Sequence, residues 1–197
     1  MKHFLNPDSF PITELLLRDY ATARKECTAA TLPLMPWKEG YLYDNEWRVG
    51  AFYVHGERVN DGTQDDYPNL HAMCPGTSSM LREINERLDD GLCSAIISAF
   101  YPGTRTAKHY HPDGYMYRAH LCLKSDPATS GFAILDESIA WHEGEVTIFD
   151  NTIPHESWNE GNTVRINLVL DFLRGGKTRR DLEEYVNDPE RRRSILV

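Results

Sequence analysis

The run TVRINLVLDF (163–172) alternates between two kinds of residue, and that alternation constrains the fold more than any other feature of the chain. Successive side chains of a strand point to opposite faces. Val164, Ile166, Leu168, Leu170 and Phe172 therefore make an apolar face, and Arg165, Asn167, Val169 and Asp171 a mixed one. MYRAHLCLK (116–124) repeats the pattern, with Met116, Arg118, His120 and Cys122 against Tyr117, Ala119, Leu121 and Leu123. LCSAIISAF (92–100), GFAIL (131–135) and EVTIFD (145–150) are further short β-type runs, and PGT, PDG, SDPATSG, HEGE and NEGN mark turns between them. Five such runs behind helical segments predict a mainly β fold with flanking helices, of the double-sheet jelly-roll kind.

The helical segments are ITELLLRDYATARKEC (12–27) and GTSSMLREINERLDDG (76–91). In the second, Thr77 or Ser78 is the expected cap, Met80, Leu81, Ile84 and Leu88 the buried stripe, and Gly91 the terminator. Between them, residues 36–75 are rich in aromatics and turn residues and read as short strands and loops. KTRRDLEEYVND (177–188) reads as a last helix, stopped by Pro189. The whole, 1–197, is expected to form one domain: a helical and mixed part (1–91) packed on a β core (92–173), followed by a helical tail (174–197).

Several function classes are disfavoured. A formal net charge of −9 works against general affinity for nucleic acid or anionic lipid. The basic clusters KTRR (177–180) and ERRR (190–193) alternate with acidic residues, as solvated helix faces do. No apolar run is long enough to span a membrane, and MKHFLNPDSF lacks the layout of a signal peptide. Cys27, Cys74, Cys93 and Cys122 are scattered without a CxxC pair, which predicts free thiols and excludes a zinc ribbon. The expectation is a cytoplasmic protein that acts on a small molecule, without nucleic acid or membrane.

Arg118 and Arg165 each sit near the start of a mixed face. Such a face either lies outward, pairing its arginines with surface carboxylates, or lines a barrel mouth where two guanidiniums meet a dicarboxylate ligand. Alternation alone does not choose. His109 and His111 are two apart and share a face on an extended segment; His155 follows EVTIFD in a turn from which it can reach them. Three histidines from separate segments are candidates for a metal. His3, His55, His71 and His142 read as structural.

PGT (102–104), His109, RAHL (118–121), Trp141, EGEVTIFDN (143–151), HESWN (155–159) and Arg165, in that order and spacing, resemble the aspartyl/asparaginyl β-hydroxylase family, from about Cys74 to Phe172. The resemblance implies an Fe(II)/2-oxoglutarate-dependent oxygenase on a cupin-like double-stranded β-helix, consuming O2 and releasing succinate and CO2. It puts iron on His109 and His155, and the distal carboxylate of 2-oxoglutarate on Arg165. Arg118, His120 and Ser98 become further contacts of the co-substrate, so both arginines are expected to face inward.

The departure is at the third ligand, where many members carry HxD and this chain has HYH. His111 either completes a three-histidine set, or points away, or pairs with Asp113 in a register shifted by two. The resemblance covers hydroxylases of aspartyl or asparaginyl residues, of free amino acids and of lipid acyl chains. A free amino acid, or an amino-acid unit of a small peptide, is the substrate expected here. Trp37, Tyr41, Tyr43, Trp47, Phe52 and Tyr53 either border its pocket or are ordinary core. The rival readings are a cupin-type metal enzyme independent of 2-oxoglutarate, such as a thiol dioxygenase or isomerase, and a non-catalytic metal-binding barrel.

Overall fold

The computed structural model describes residues 2–59, 67–112, 114–188 and 194–197. The chain opens with β1 (Phe4–Leu5), α1 (Pro11–Arg18), α2 (Tyr20–Cys27), β2 (Met35–Pro36) and β3 (Tyr43–Asp44). It continues through β4 (Trp47–Val54), β5 (Glu57–Arg58) and α3 (Pro75–Arg87). Then come β6 (Leu92–Phe100), β7 (Thr104–Thr106), β8 (His109–Tyr110), β9 (Met116–Lys124) and β10 (Ser130–Ile134). β11 (Glu137–Ala140), β12 (Val146–Phe149), β13 (His155–Asn159), β14 (Arg165–Leu173), α4 (Arg179–Val186) and β15 (Ile195–Leu196) complete it.

The strands form two sheets. The larger runs β1-β12-β9-β14-β6-β4-β2, with β5 against β4; the smaller runs β11-β10-β13-β7-β3, with β8 joining β13 to β15. All pairings are antiparallel, and the sheets curl around a common interior as a double-stranded β-helix. The jelly roll expected from the alternating runs is thus the fold observed.

The apolar faces of the central strands turn away from that interior. Leu168, Leu170 and Phe172 of β14, Ala119, Leu121 and Leu123 of β9, and Ala95, Ile97 and Ala99 of β6 form one core with α1, α2 and α3. Ile12, Leu15 and Leu16 enter it from α1, and Met80, Leu81 and Ile84 from α3. Burial of this kind is the main stabilising term, roughly 1.5–3 kcal/mol for each large aliphatic side chain.

Local details differ from the sequence expectation in three places. Residues 12–27 form two helices that meet at Asp19, whose φ of −100° and ψ of 8° leave the helical range, so the chain bends between the two buried stripes. Neither Thr77 nor Ser78 caps α3, because Pro75 occupies the first turn and both lie inside the helix. The Glu26 carboxylate of α2 instead accepts from Gly76 N at 2.9 Å, Thr77 N at 2.8 Å and Thr77 Oγ1 at 2.7 Å. The same helix ends at Arg87 rather than at Gly91. Asp89 and Asp90 take positive φ of 52° and 59°, and Asn85 ties the turn together by donating to Asp90 Oδ1 and accepting from Leu92 N.

All four cysteines are free and buried. None of the described helices is long and apolar enough to cross a membrane. The expected stop at Pro189 and the basic cluster at 190–193 lie outside the described residues.

Candidate metal and co-substrate site

The mixed faces of β6, β9 and β14 point into the interior and stack in rows fixed by strand register. Ser98 lies opposite Asn167, which lies opposite Cys122; Ile96, Val169 and His120 make the next row; Ser94, Asp171 and Arg118 the one after. Together with β13 and β10 of the facing sheet they line a cavity of about 400 Å³. The choice that alternation left open is therefore resolved: both arginines face inward.

His155 does not sit in a turn. It opens β13, whose alternating burial continues through Ser157 and Asn159, and it pairs directly with His109 of β8. His111 stands two residues beyond His109, and its ring lies 5.6 Å from that of His109 and 5.9 Å from that of His155. The three imidazoles each offer a ligand atom, all within 4.8 Å of one another. His111 thus does not point away from the cluster. Asp113, its partner in the shifted register, lies outside the described residues.

The backbone sets two of the tautomers. His109 Nδ1 is 2.8 Å from the carbonyl of Ala107, and His155 Nδ1 is 2.8 Å from that of Ile153. A carbonyl only accepts, so each Nδ1 carries the proton and each Nε2 presents a lone pair. Burial holds the pKa of His109 below the usual range, and those of His111 and His155 well below it, with the Arg118 charge pushing the same way. At neutral pH this is a set of neutral imidazoles, the form that ligates a cation.

The two arginines differ. Arg118 is committed to Asp171 in a bidentate pair, Nε to Oδ1 at 2.7 Å and Nη2 to Oδ2 at 2.9 Å, and Ser94 Oγ donates to the same carboxylate. Its Nη1 lies 3.3 Å from His111 Nε2. Arg165 has no carboxylate within reach among the described residues. Its guanidinium stacks on Phe100, 3.8 Å from the ring centroid, and donates through Nη2 to Ser157 Oγ at 3.1 Å. Only 1 % exposed, it has its pKa pulled down to about 9 by burial, and its Nε finds no partner. A buried cation left this way is unfavourable until an anion joins it.

The remaining expected residues line the same cavity as Arg165. His120 stacks on Trp141 at 5.2 Å, and its buried Nε2 has no partner. The Asn167 amide lies 3.1 Å from His120 Nδ1 and, through its oxygen, 3.2 Å from Arg165 Nη1. Ser98 accepts from Trp47 Nε1 at 3.0 Å in the cavity wall. Trp37 and Trp47 border the cavity, whereas Phe52 and Tyr53 belong to the outer core. Ser157, Asn167 and Asp171 had no assigned part in the sequence reading. Ser157 shares a face of β13 with His155, and the other two share a face of β14 with Arg165, so alternation held the signal.

Comparison with known proteins points one way. The model of the Aspartyl/Asparaginyl beta-hydroxylase family matches residues 12–175, extending the resemblance into α1 and α2. The chain is 33 % identical over 133 residues to an ornithine lipid ester-linked acyl 2-hydroxylase of Rhizobium tropici, covering 66 % of this chain and 43 % of that protein. It is 26 % identical over 137 residues to the human aspartyl/asparaginyl beta-hydroxylase, covering 70 % and 17 % respectively. The chain therefore spans less than half the length of these relatives. A 2OG-Fe(II) oxygenase family oxidoreductase from Burkholderia pseudomallei superposes with a TM-score of 0.55 at 16 % identity, covering 83 % of this chain and 94 % of that one, a likeness of fold.

Proposed function

The chain belongs to the aspartyl/asparaginyl β-hydroxylase family, and from that premise we propose an Fe(II)- and 2-oxoglutarate-dependent hydroxylase acting on a free amino acid or an amino-acid unit of a small peptide. The observation that carries this reading is the pairing, in one cavity, of a neutral three-histidine cluster with a buried arginine that lacks an anion. Fe(II) fits the histidines, as His109, His111 and His155 supply borderline nitrogen donors already in the ligating form. A dicarboxylate fits the other end, where Arg165 awaits a negative charge. Bound together, Fe(II) and 2-oxoglutarate supply O2 activation: one oxygen atom enters a substrate C–H bond, the other enters succinate, and CO2 leaves.

The chain's own residues bind and orient. Ala107 and Ile153 fix the imidazoles of His109 and His155 through their carbonyls, and Phe100 and Ser157 aim Arg165. His120 and Ser98 border the co-substrate's end of the cavity, with Trp141 and Trp47 holding them. Arg118, held by Asp171, reaches His111 through Nη1.

The test is anaerobic titration of Fe(II)-loaded protein with 2-oxoglutarate, following the visible charge-transfer absorption of a 2-oxo acid chelated to Fe(II). The band is expected in the natural chain, lost in His109→Ala, and shifted to higher 2-oxoglutarate in Arg165→Met. Metal binding without a band would favour the cupin-type enzyme that works without 2-oxoglutarate.

A further inference from the structure

Resting on that reading, we propose that the group offered for hydroxylation is an uncharged aliphatic chain, selected by Ile96, Val169 and Val54. The first observation is where apolar surface remains accessible. Ile96 is in the middle of β6, in the middle of the larger sheet, yet it is only half-buried, while its neighbours Ala95 and Ile97 are fully buried against the helices. Its accessible surface lies inside the cavity. Val169, directly opposite on β14, and Val54 at the end of β4 line the same space. Met116 and Leu182 close the far end. Apolar surface of this sort gains most from an apolar partner.

The second observation is the state of the charges. Among the described lining residues, Arg118 and Asp171 neutralise each other through two hydrogen bonds. Both Glu39 oxygens are taken: Oε2 accepts from Ser194 Oγ, and Oε1 from Ser194 N and the Tyr41 hydroxyl. Lys38 stands at the exposed rim, 5.4 Å from the centroid of Tyr67. Arg165 serves the co-substrate. A substrate carboxylate or ammonium carried inward would compete with the Arg118–Asp171 pair for its partners, whereas a hydrocarbon chain fits beside it undisturbed.

With O2 as the oxidant, the reaction would convert one C–H bond of the chain to C–OH with one oxygen atom, while the other enters succinate as 2-oxoglutarate loses CO2. Such a chain is carried either by an amino acid of the leucine or norvaline type or by an acyl ester, and the assay separates the two. Succinate formation above the substrate-free rate, with mass-spectrometric detection of added oxygen, is measured for three sets: aspartate, asparagine and lysine; norvaline, norleucine and leucine; butanoyl and hexanoyl esters of ethanolamine. Turnover is expected only in the second or third set, and kcat/KM should rise roughly fourfold with each methylene added, until the cavity is filled.

Val169→Thr preserves volume while adding a hydroxyl, and should raise KM for the aliphatic substrate several-fold without altering the charge-transfer band. Ile96→Ala should move the optimum to a chain longer by one or two carbons, a change that general damage to the fold does not produce. Comparable turnover of aspartate or lysine, or a normal band with no aliphatic turnover, overturns the proposal while leaving the oxygenase reading intact. Failure to form the band removes the reading on which it rests.

Discussion

One strand, β14, presents two different environments on its two faces. Outward, Leu168 and Leu170 are fully buried in the apolar core they share with α1–α3. Inward, on alternate residues, Arg165, Asn167 and Asp171 are just as buried but lean on hydrogen bonds, and Arg165 Nε is left without a partner. His120 Nε2 on β9 shares that condition, two rows away from Arg165. The outer face is complete as it stands and stabilises the fold; the inner face keeps polar atoms, Arg165 Nε and His120 Nε2, that nothing in the fold satisfies. Sequence alternation permits both on the same ten residues because each side chain answers only to its own side of the sheet.

The sharpest break of that comparison is on the inner face. His155→Ala should lower Fe(II) affinity by more than the roughly 10–100-fold typical of residues that merely support a ligand, and abolish hydroxylation. The unfolding midpoint of the metal-free protein should barely move, as calorimetry with and without Fe(II) can establish. On the outer face the reverse holds. Leu168→Ala should reduce stability by about 2–5 kcal/mol in urea unfolding, since the packed helices cannot refill the space. The surviving folded fraction should keep its 2-oxoglutarate dependence. A shift in that dependence larger than the loss of folded protein would mean that the two faces are coupled.

Arg165→Met tests the inner face by sign. Replacing a buried, unpaired guanidinium with an apolar side chain of similar length should leave the co-substrate-free protein equally stable or more stable, by up to roughly 1–4 kcal/mol. The same change should weaken 2-oxoglutarate binding by tens- to thousand-fold. Destabilisation of several kcal/mol, seen in denaturant titrations without 2-oxoglutarate, would show that Phe100 and Ser157 satisfy the cation unaided.

How much of this was legible in the sequence depends on the range of the interaction. The jelly roll and its outer core follow from period-two patterning of TVRINLVLDF and MYRAHLCLK, a local signal. Which face is wet is not local. It depends on whether helices cover the apolar side, as α1–α3 do, and in the sequence only the resemblance implies that orientation. The convergence of His109 and His155 depends on the β8–β13 pairing, in which a two-residue strand meets one of five; HESWN carries the alternation, but His155 looked like a turn residue because strand-breaking TIP precedes it. The Arg118–Asp171 pair was hidden for another reason. Alternation puts both residues on mixed faces, but only the register between β9 and β14 makes them opposite, and that register includes an irregularity at Ile166/Asn167.

The cap of α3 was illegible for the same reason, and it gives the smallest of the expected effects. The sequence offers Thr77 and Ser78 as local candidates, but the acceptor arrives from Glu26, far away in the chain, and takes three hydrogen bonds at the positive end of the helix. Glu26→Ala leaves two backbone donors without a partner and should reduce stability by about 1 kcal/mol, the usual loss for an N-cap. Glu26→Gln keeps an acceptor but not the charge, and should recover roughly half. Because Glu26 lies on the helical side of the larger sheet, neither variant should change the 2-oxoglutarate concentration that half-saturates the charge-transfer band. If Glu26→Ala shifts that concentration while the protein remains folded, the helices do more than cover the sheet: they set the curvature that brings Arg165 and the histidines into one cavity, and the division between a stabilising face and a working face fails.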